Sequence, residues 1–136
     1  MSLMSWNEKM SVGVVAFDTE HKKLVEMLNQ LFDAVQAGKG RDVLGEILDK
    51  LIEYTKSHFA YEERIMGQNA YPDLEAHKKE HEELTRKVID IQKKYHSGAT
   101  VTLSMEVLTF LKDWLLKHIQ GTDKKYTPYL NAKGIR

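Results

Sequence analysis

Five of the six histidines in this 136-residue chain fall at positions where a helical stripe calls for leucine. They are His21, His58, His77, His81 and His118, and a carboxylate, Glu62, follows His58 by one helical turn. An unpaired buried polar group costs about 1–3 kcal/mol. Five of them would consume most of a typical folding free energy of roughly 5–15 kcal/mol. A metal centre satisfies such rings directly. His77 with His81, and His58 with Glu62, have the i, i+4 spacing that puts two side chains on one helix face.

Composition restricts which metal chemistry is open. There is no cysteine, which removes disulfides, thiolate zinc sites, iron–sulfur clusters and cysteine nucleophiles together. Any ion must be held by nitrogen and oxygen. Imidazole suits zinc, copper, iron and nickel, and mixed imidazole–carboxylate sets with an open position suit iron. Twenty basic residues balance twenty acidic ones, so no basic footprint for nucleic acid is expected. No apolar run reaches the ~18 residues of a membrane span, and no basic segment with an apolar signal core opens the chain. A soluble, cytoplasmic protein without membrane insertion is the expectation.

The elements that must position these residues read as all-α, one domain over residues 1–136. A first helix is expected from an N-cap at Asp18, with Leu24, Val25, Leu28, Leu31, Phe32 and Val35 at spacings of three and four. Gly38-Lys39-Gly40 ends it. A second runs from about Asp42 to Met66, carrying Leu44, Ile47, Leu48, Leu51 and Thr55 along one face. The turn formers of 67–72 break the chain again, and Asp73 caps a third helix with Leu74, Leu84, Val88, Ile91 and Tyr95. Ser97-Gly98 closes it. A fourth helix begins near Thr102, with Val107, Leu108, Leu111, Trp114 and Leu115, and a short tail helix covers about Tyr126 to Ala132. Trp6 anchors an N-terminal arm over the bundle.

Short connections favour antiparallel neighbours, hence an up-down-up-down four-helix bundle. The start of helix one, the end of two, the start of three and the end of four then share one level. His21, His58, Glu62, His77, His81 and His118 all sit at that level. His96, beside the Ser97-Gly98 turn and off the stripe, reads as a surface residue.

Asp123 is a further candidate. Five residues after His118, it would point about 140° away on an ideal helix, unless the backbone near Gly121 winds differently. Spacing leaves it open, with Asp113 and Glu63 as weaker rivals outside the stripes. Five imidazoles exceed what one tetrahedral zinc uses. Two metals bridged by Glu62, Asp123 and one oxygen use every ligand, giving one ion six ligands and the other five, with a vacancy for a small diatomic.

These residues also carry a resemblance. Trp6, Gly13, Asp18-Thr19-Glu20-His21, His58-Phe59-Ala60-Tyr61-Glu62-Glu63, Tyr71-Pro72, His77 to His81 and His118 to Asp123 resemble the hemerythrin family in its bacterial single-domain form. The resemblance implies an oxo- or hydroxo-bridged pair of iron ions, His77, His81 and His118 on one, His21 and His58 on the other, Glu62 and Asp123 bridging. It implies reversible dioxygen binding at the five-coordinate iron, for transport, storage or delivery; separately, no dedicated acid–base residue is read in the chain, so no enzymatic turnover, such as a peroxidase or ferroxidase would need, is expected. Oxygen, redox or iron sensing through the same site is the alternative, although no second signalling domain is read in the chain. Dioxygen and an oxygen-consuming enzyme are the expected partners, and the chain is expected to act as a monomer.

Around the site, Leu24, Leu28, Leu111, Trp114, Leu115 and Ile119 are expected pocket walls. With two carboxylates against five neutral imidazoles, little anionic charge stabilises oxidised iron, which favours reversibility. Gln120 stands where animal oxygen carriers suggest an apolar residue, and it either reaches a ligand or faces outward. Tyr126 is read chiefly as packing, and Lys78-Lys79-Glu80 and Glu82-Glu83 as solvated helix faces.

Overall fold

A computed structural model describes residues 3–39, 41–97 and 105–136. Among these the regular elements are all helical. After a single turn at Glu8–Met10 come α1 (Val15–Gln36), α2 (Arg41–Gln68), α3 (Leu74–His96) and α4 (Met105–Lys117). A π turn (His118–Thr122), a 3-10 turn (Asp123–Tyr126) and the short α5 (Thr127–Ala132) complete the chain. α1 packs against α2 and α4, and α2 against α3, as the bundle reading requires. No helix among the described residues is long and apolar enough to cross a membrane.

The stripes explain the packing. Leu24, Val25, Leu28 and Leu31 of α1, Leu48, Leu51 and Ile52 of α2, Leu84 and Val88 of α3, and Leu108 of α4 are buried in one cluster. Burying each such side chain stabilises the fold by roughly 1.5–3 kcal/mol. Phe32, Val35, Leu111, Trp114 and Leu115 lie half-buried at its margin. Met66 is fully buried where α2 nears its end.

Several boundaries differ from expectation. α1 starts three residues before Asp18, at Val15, and its cap residue Val14 supplies no side-chain hydrogen bond. Asp18 instead sits in the first turn and accepts from Ser11 Oγ at 2.6 Å and from the Val12 amide at 2.8 Å. Its charge lies at the positive end of the helix dipole while it ties down the incoming arm. α2 continues to Gln68, and Asp73 caps α3 without a side-chain hydrogen bond. The expected start of α4 at Thr102 lies outside the described residues.

The arm and the tail hold each other at the site end. Gly13 has φ +71°, and a Cβ there would come 2.8 Å from Thr127 Cγ2, so glycine alone permits this approach. Thr127 Oγ1 donates to the Val12 carbonyl, and Asn131 Nδ2 donates to the Gly13 carbonyl at 3.1 Å. Tyr129 Oη donates to the Asn69 carbonyl at 2.6 Å, docking α5 on the α2–α3 turn. Further along the arm, half-buried Trp6 packs on the core under Lys22, whose Nζ lies 5.3 Å from the ring.

Candidate metal centre

Antiparallel packing brings the four site-bearing helix ends to one level, where seven polar side chains are 3% exposed or less: His21, His58, Glu62, His77, His81, His118 and Asp123. α1 supplies His21, α2 His58 and Glu62, α3 His77 and His81, and the segment after α4 supplies His118 and Asp123.

The two carboxylates span the set. Glu62 Oε1 lies 3.7 Å from His77 Nε2 and 3.4 Å from His81 Nε2. Its other oxygen lies 3.3 Å from His21 Nε2 and 3.4 Å from His58 Nε2. Asp123 repeats the pattern. Oδ1 is 2.9 Å from His77 Nε2 and 3.0 Å from His118 Nε2, whereas Oδ2 is 3.2 Å from His21 Nε2. Two groups of ligand atoms therefore form, each within 4.8 Å: Glu62, His77, His81, His118 and Asp123 in one, His21, His58 and Glu62 in the other.

Asp123 reaches the cluster because the backbone changes pitch. Residues 118–122 wind as a π turn, and the Asp123 amide donates to the His118 carbonyl, an i to i+5 bond. One residue more per turn brings position i+5 back beneath position i. Of the rivals, Asp113 is exposed and Glu63 lies outside the cluster, on the far side of His81.

Three carboxylates that spacing did not single out as supports bind the outer nitrogens of the rings. Glu20 Oε1 lies 2.6 Å from His58 Nδ1, Glu63 Oε2 2.8 Å from His81 Nδ1, and Glu80 Oε1 3.1 Å from His118 Nδ1. Such a partner fixes the tautomer, aims Nε2 inward and makes the ring more basic. Glu80 is thus no solvated face residue; Glu82 and Glu83 are exposed. The ring shell is also less neutral than two carboxylates against five imidazoles suggested. A signal existed: each outer carboxylate adjoins an inward residue, Glu20 before His21, Glu63 after Glu62 and Glu80 before His81. A position next to the stripe flanks the neighbouring helix, within reach of that helix's histidine.

Burial pulls the imidazoles down, yet the carboxylates outweigh it. His21 is raised to about 9 by Asp123 and Glu62, His58 to about 9 by Glu62 and Glu20, and His77 to about 9 by Asp123 and Glu62. Against the same burial, Asp123 and Glu80 raise His118 to about 10. Burial pushes Glu62 up, but His58 and its neighbours hold it well below the usual carboxylate range. Tyr126 is pushed up by burial and by Glu62, to whose Oε2 its hydroxyl donates at 2.8 Å. Tyr126 therefore both packs and holds a site carboxylate.

Hydrogen bonds within the protein leave this cluster incomplete. His21 Nδ1 and Nε2, His77 Nε2, Glu62 Oε1 and both Asp123 oxygens are buried without a hydrogen-bond partner among the described residues. His81 Nε2 and His118 Nε2 stand 3.0 Å apart. With Nδ1 of each ring turned to a carboxylate, the two Nε2 atoms face each other, and only when neither carries a proton do both offer a lone pair to an ion. Cations between these atoms satisfy all but His21 Nδ1, which points away from the cluster when Nε2 faces it, so the donor set fits a pair of metal ions of the borderline, imidazole-seeking kind.

Aromatic rings close the cluster. Phe59 stacks on His81 at 3.8 Å between centroids, Trp114 on His118 at 4.5 Å and Tyr126 on His77 at 5.7 Å. Beyond Phe59 and Trp114 an apolar cavity of about 50 Å³ runs into the bundle, lined by Leu24, Leu28, Leu111, Trp114 and Leu115 among others. Ile119 is fully buried and does not line it. Gln120 is exposed, which resolves its two readings in favour of the outward one. His96 is half-exposed, 2.7 Å from Asp49 Oδ1, remote from the cluster level.

Fold and site together define a class: helical-bundle proteins that hold two metal ions between histidines and carboxylates in the bundle core. The particular family follows from comparison. The hemerythrin HHE cation-binding domain matches residues 12–130. The bacteriohemerythrin of Methylococcus capsulatus is 38% identical over 133 residues, spanning 97% of this chain and all of that protein. The myohemerythrin of Theromyzon tessulatum is 32% identical over 121 residues, 89% of this chain and 88% of that one. A wild-type hemerythrin crystal structure superposes with a TM-score of 0.87 at 38% identity, covering 93% of this chain and 97% of the other. The chain belongs to the hemerythrin family.

Proposed function

We propose that the chain, acting as one domain, binds dioxygen reversibly at a non-haem di-iron centre and serves transport, storage or delivery. The observation that carries this is the division of each carboxylate between two histidine groups, one oxygen toward each. His77, His81 and His118 would hold one iron and His21 and His58 the other. Glu62 and Asp123, each with one oxygen toward either histidine group, would be shared between the two. Iron held by these residues would supply the electrons that dioxygen accepts on binding and returns on release.

The protein's own residues make that exchange reversible. Glu20, Glu63 and Glu80 hold three rings in orientation through Nδ1. Tyr126 fixes Glu62 through its hydroxyl, leaving the opposite oxygen to face His77 and His81. Phe59, Trp114 and the leucine-lined cavity exclude water and its protons from the cluster. Glu62 and Asp123 both turn their oxygens toward histidine rings inside the buried cluster rather than toward an open cleft, which supports binding over enzymatic turnover. The expected setting is the cytoplasm, with an oxygen-consuming enzyme as recipient and a monomeric chain.

The test is anaerobic reduction followed by dioxygen titration on protein of known metal content. Two irons per chain, with visible bands that form under the gas and vanish under vacuum, are expected. One iron, zinc, or rapid irreversible oxidation would overturn the proposal.

A further inference from the structure

The π turn needs an explanation that its own sequence does not supply. Gly121 invites one, because glycine tolerates unusual backbone. Yet Gly121 has no positive φ, and a Cβ added there would meet nothing within 4 Å. Neither conformation nor packing requires glycine, so something outside the turn must hold its register.

Glu80 is placed to do so. Its Oε1 lies 3.1 Å from His118 Nδ1, and Thr122 Oγ1 lies 2.8 Å from each of its two oxygens. His118 and Thr122 are the first and last residues of the π turn. One carboxylate on α3 thus grips both ends of the segment whose extra residue turns Asp123 inward. Were the segment to relax to α-helical pitch, Asp123 would swing away from His118 by more than a right angle. Thr122, four residues after His118, would stay on the same face as His118 but turn away from its present position against Glu80.

We infer that Glu80 is a positioning residue: by bridging His118 and Thr122 it locks the π turn and thereby delivers Asp123 to the centre. This rests on Asp123 being a metal ligand, as proposed above. The competing role is simpler, with Glu80 acting on the His118 ring alone.

Thr122→Val separates the two, because it keeps the side chain's shape and removes only the hydroxyl that meets Glu80. The first readout is amide hydrogen exchange at Asp123 in the metal-free protein, which reports the i to i+5 bond regardless of what ion the centre takes. Thr122→Val and Glu80→Ala should speed that exchange about tenfold or more, the scale of losing a hydrogen bond to a charged group. Glu80→Gln, whose amide oxygen still accepts from Thr122, should stay near wild type. The second readout is anaerobic ferrous iron titration. Thr122→Val should weaken binding by about 10–100-fold, as loss of a ligand's support does. In an Asp123→Asn background it should add nothing. Unchanged exchange and unchanged iron affinity in Thr122→Val would overturn the clamp and leave Glu80 acting through His118. Faster exchange with unchanged iron affinity would uphold the clamp and refute Asp123 as a ligand.

Discussion

Along α2 the inward stripe changes character within two helical turns. Leu48, Leu51 and Ile52 face an apolar cavity, whereas His58 and Glu62 face a cluster of nitrogens and oxygens. The same change occurs on α1 between Leu24 and His21, and on α3 between Leu84 and His81. Both halves are buried, and α1, α2 and α3 contribute to each. The apolar half stabilises the fold as soon as it leaves water, whereas the polar half is stable only if every lone pair finds a proton or a cation. One half of the core therefore stabilises the bundle unaided, whereas the other depends on protons or cations.

The largest break in this comparison should come from Glu62→Ala. It strips His21, His58, His77 and His81 of a shared carboxylate and frees the Tyr126 hydroxyl. Loss of the second iron and of the visible spectrum is expected. In the metal-free protein a destabilisation of about 3–5 kcal/mol should show in urea unfolding, since buried charges lose their partner. A metal-free stability equal to wild type would show that the polar half is not internally paired.

Leu28→Ala tests the other half. It enlarges the cavity and should cost about 2–5 kcal/mol in the same experiment, with iron still at two per chain. Loss of iron there would mean that the two halves do not act separately.

Next in size is the pH dependence of the metal-free protein. His21, His58 and His77 sit near 9 and His118 near 10, against an ordinary value of 6.5. Raised groups stabilise the fold fully below about pH 6.5, and that contribution is lost as pH climbs through 9 to 10. Glu62 is lowered, so its contribution is present above the ordinary carboxylate range, near 4.5, and fades only as pH falls through its depressed value. Thermal unfolding should therefore occur at a higher temperature at pH 6 than at pH 9.5. Iron affinity should rise over the same interval, because the ions displace protons. A flat stability profile would contradict the pairing.

His96→Ala should have the smallest effect. Its partner Asp49 lies at the surface and also accepts from Gln92 Nε2 at 2.8 Å. A loss below about 1 kcal/mol is expected, with iron content and spectrum untouched. An altered spectrum would place His96 in contact with the metal centre.

Six of the seven cluster residues were legible in the chain because a helix converts spacing into direction. His21, His58, Glu62, His77, His81 and His118 continue hydrophobic stripes, and stripes must face inward. Asp123 was not legible in this way, since its direction depends on a local change of pitch. Glu20, Glu63 and Glu80 were hidden for another reason. They sit beside the stripes, where carboxylates normally meet solvent, and only the neighbouring helix reveals their partners. Asp18 misled because residues that cap helices also serve as anchors inside the first turn.

The sequence by itself determined the helices, their inward faces, the level at which histidines gather and the exclusion of sulfur ligands. These follow from local periodicity and residue chemistry, which need no distant contacts. Only the tertiary structure decided how each carboxylate divides between two histidine groups, which rings receive an outer carboxylate, and that residues 118–122 wind one residue wider. Those features arise where side chains from different helices meet, at separations such as the 42 residues between Glu80 and Thr122. No short-range pattern encodes such a meeting, because it is fixed by the packing of whole helices.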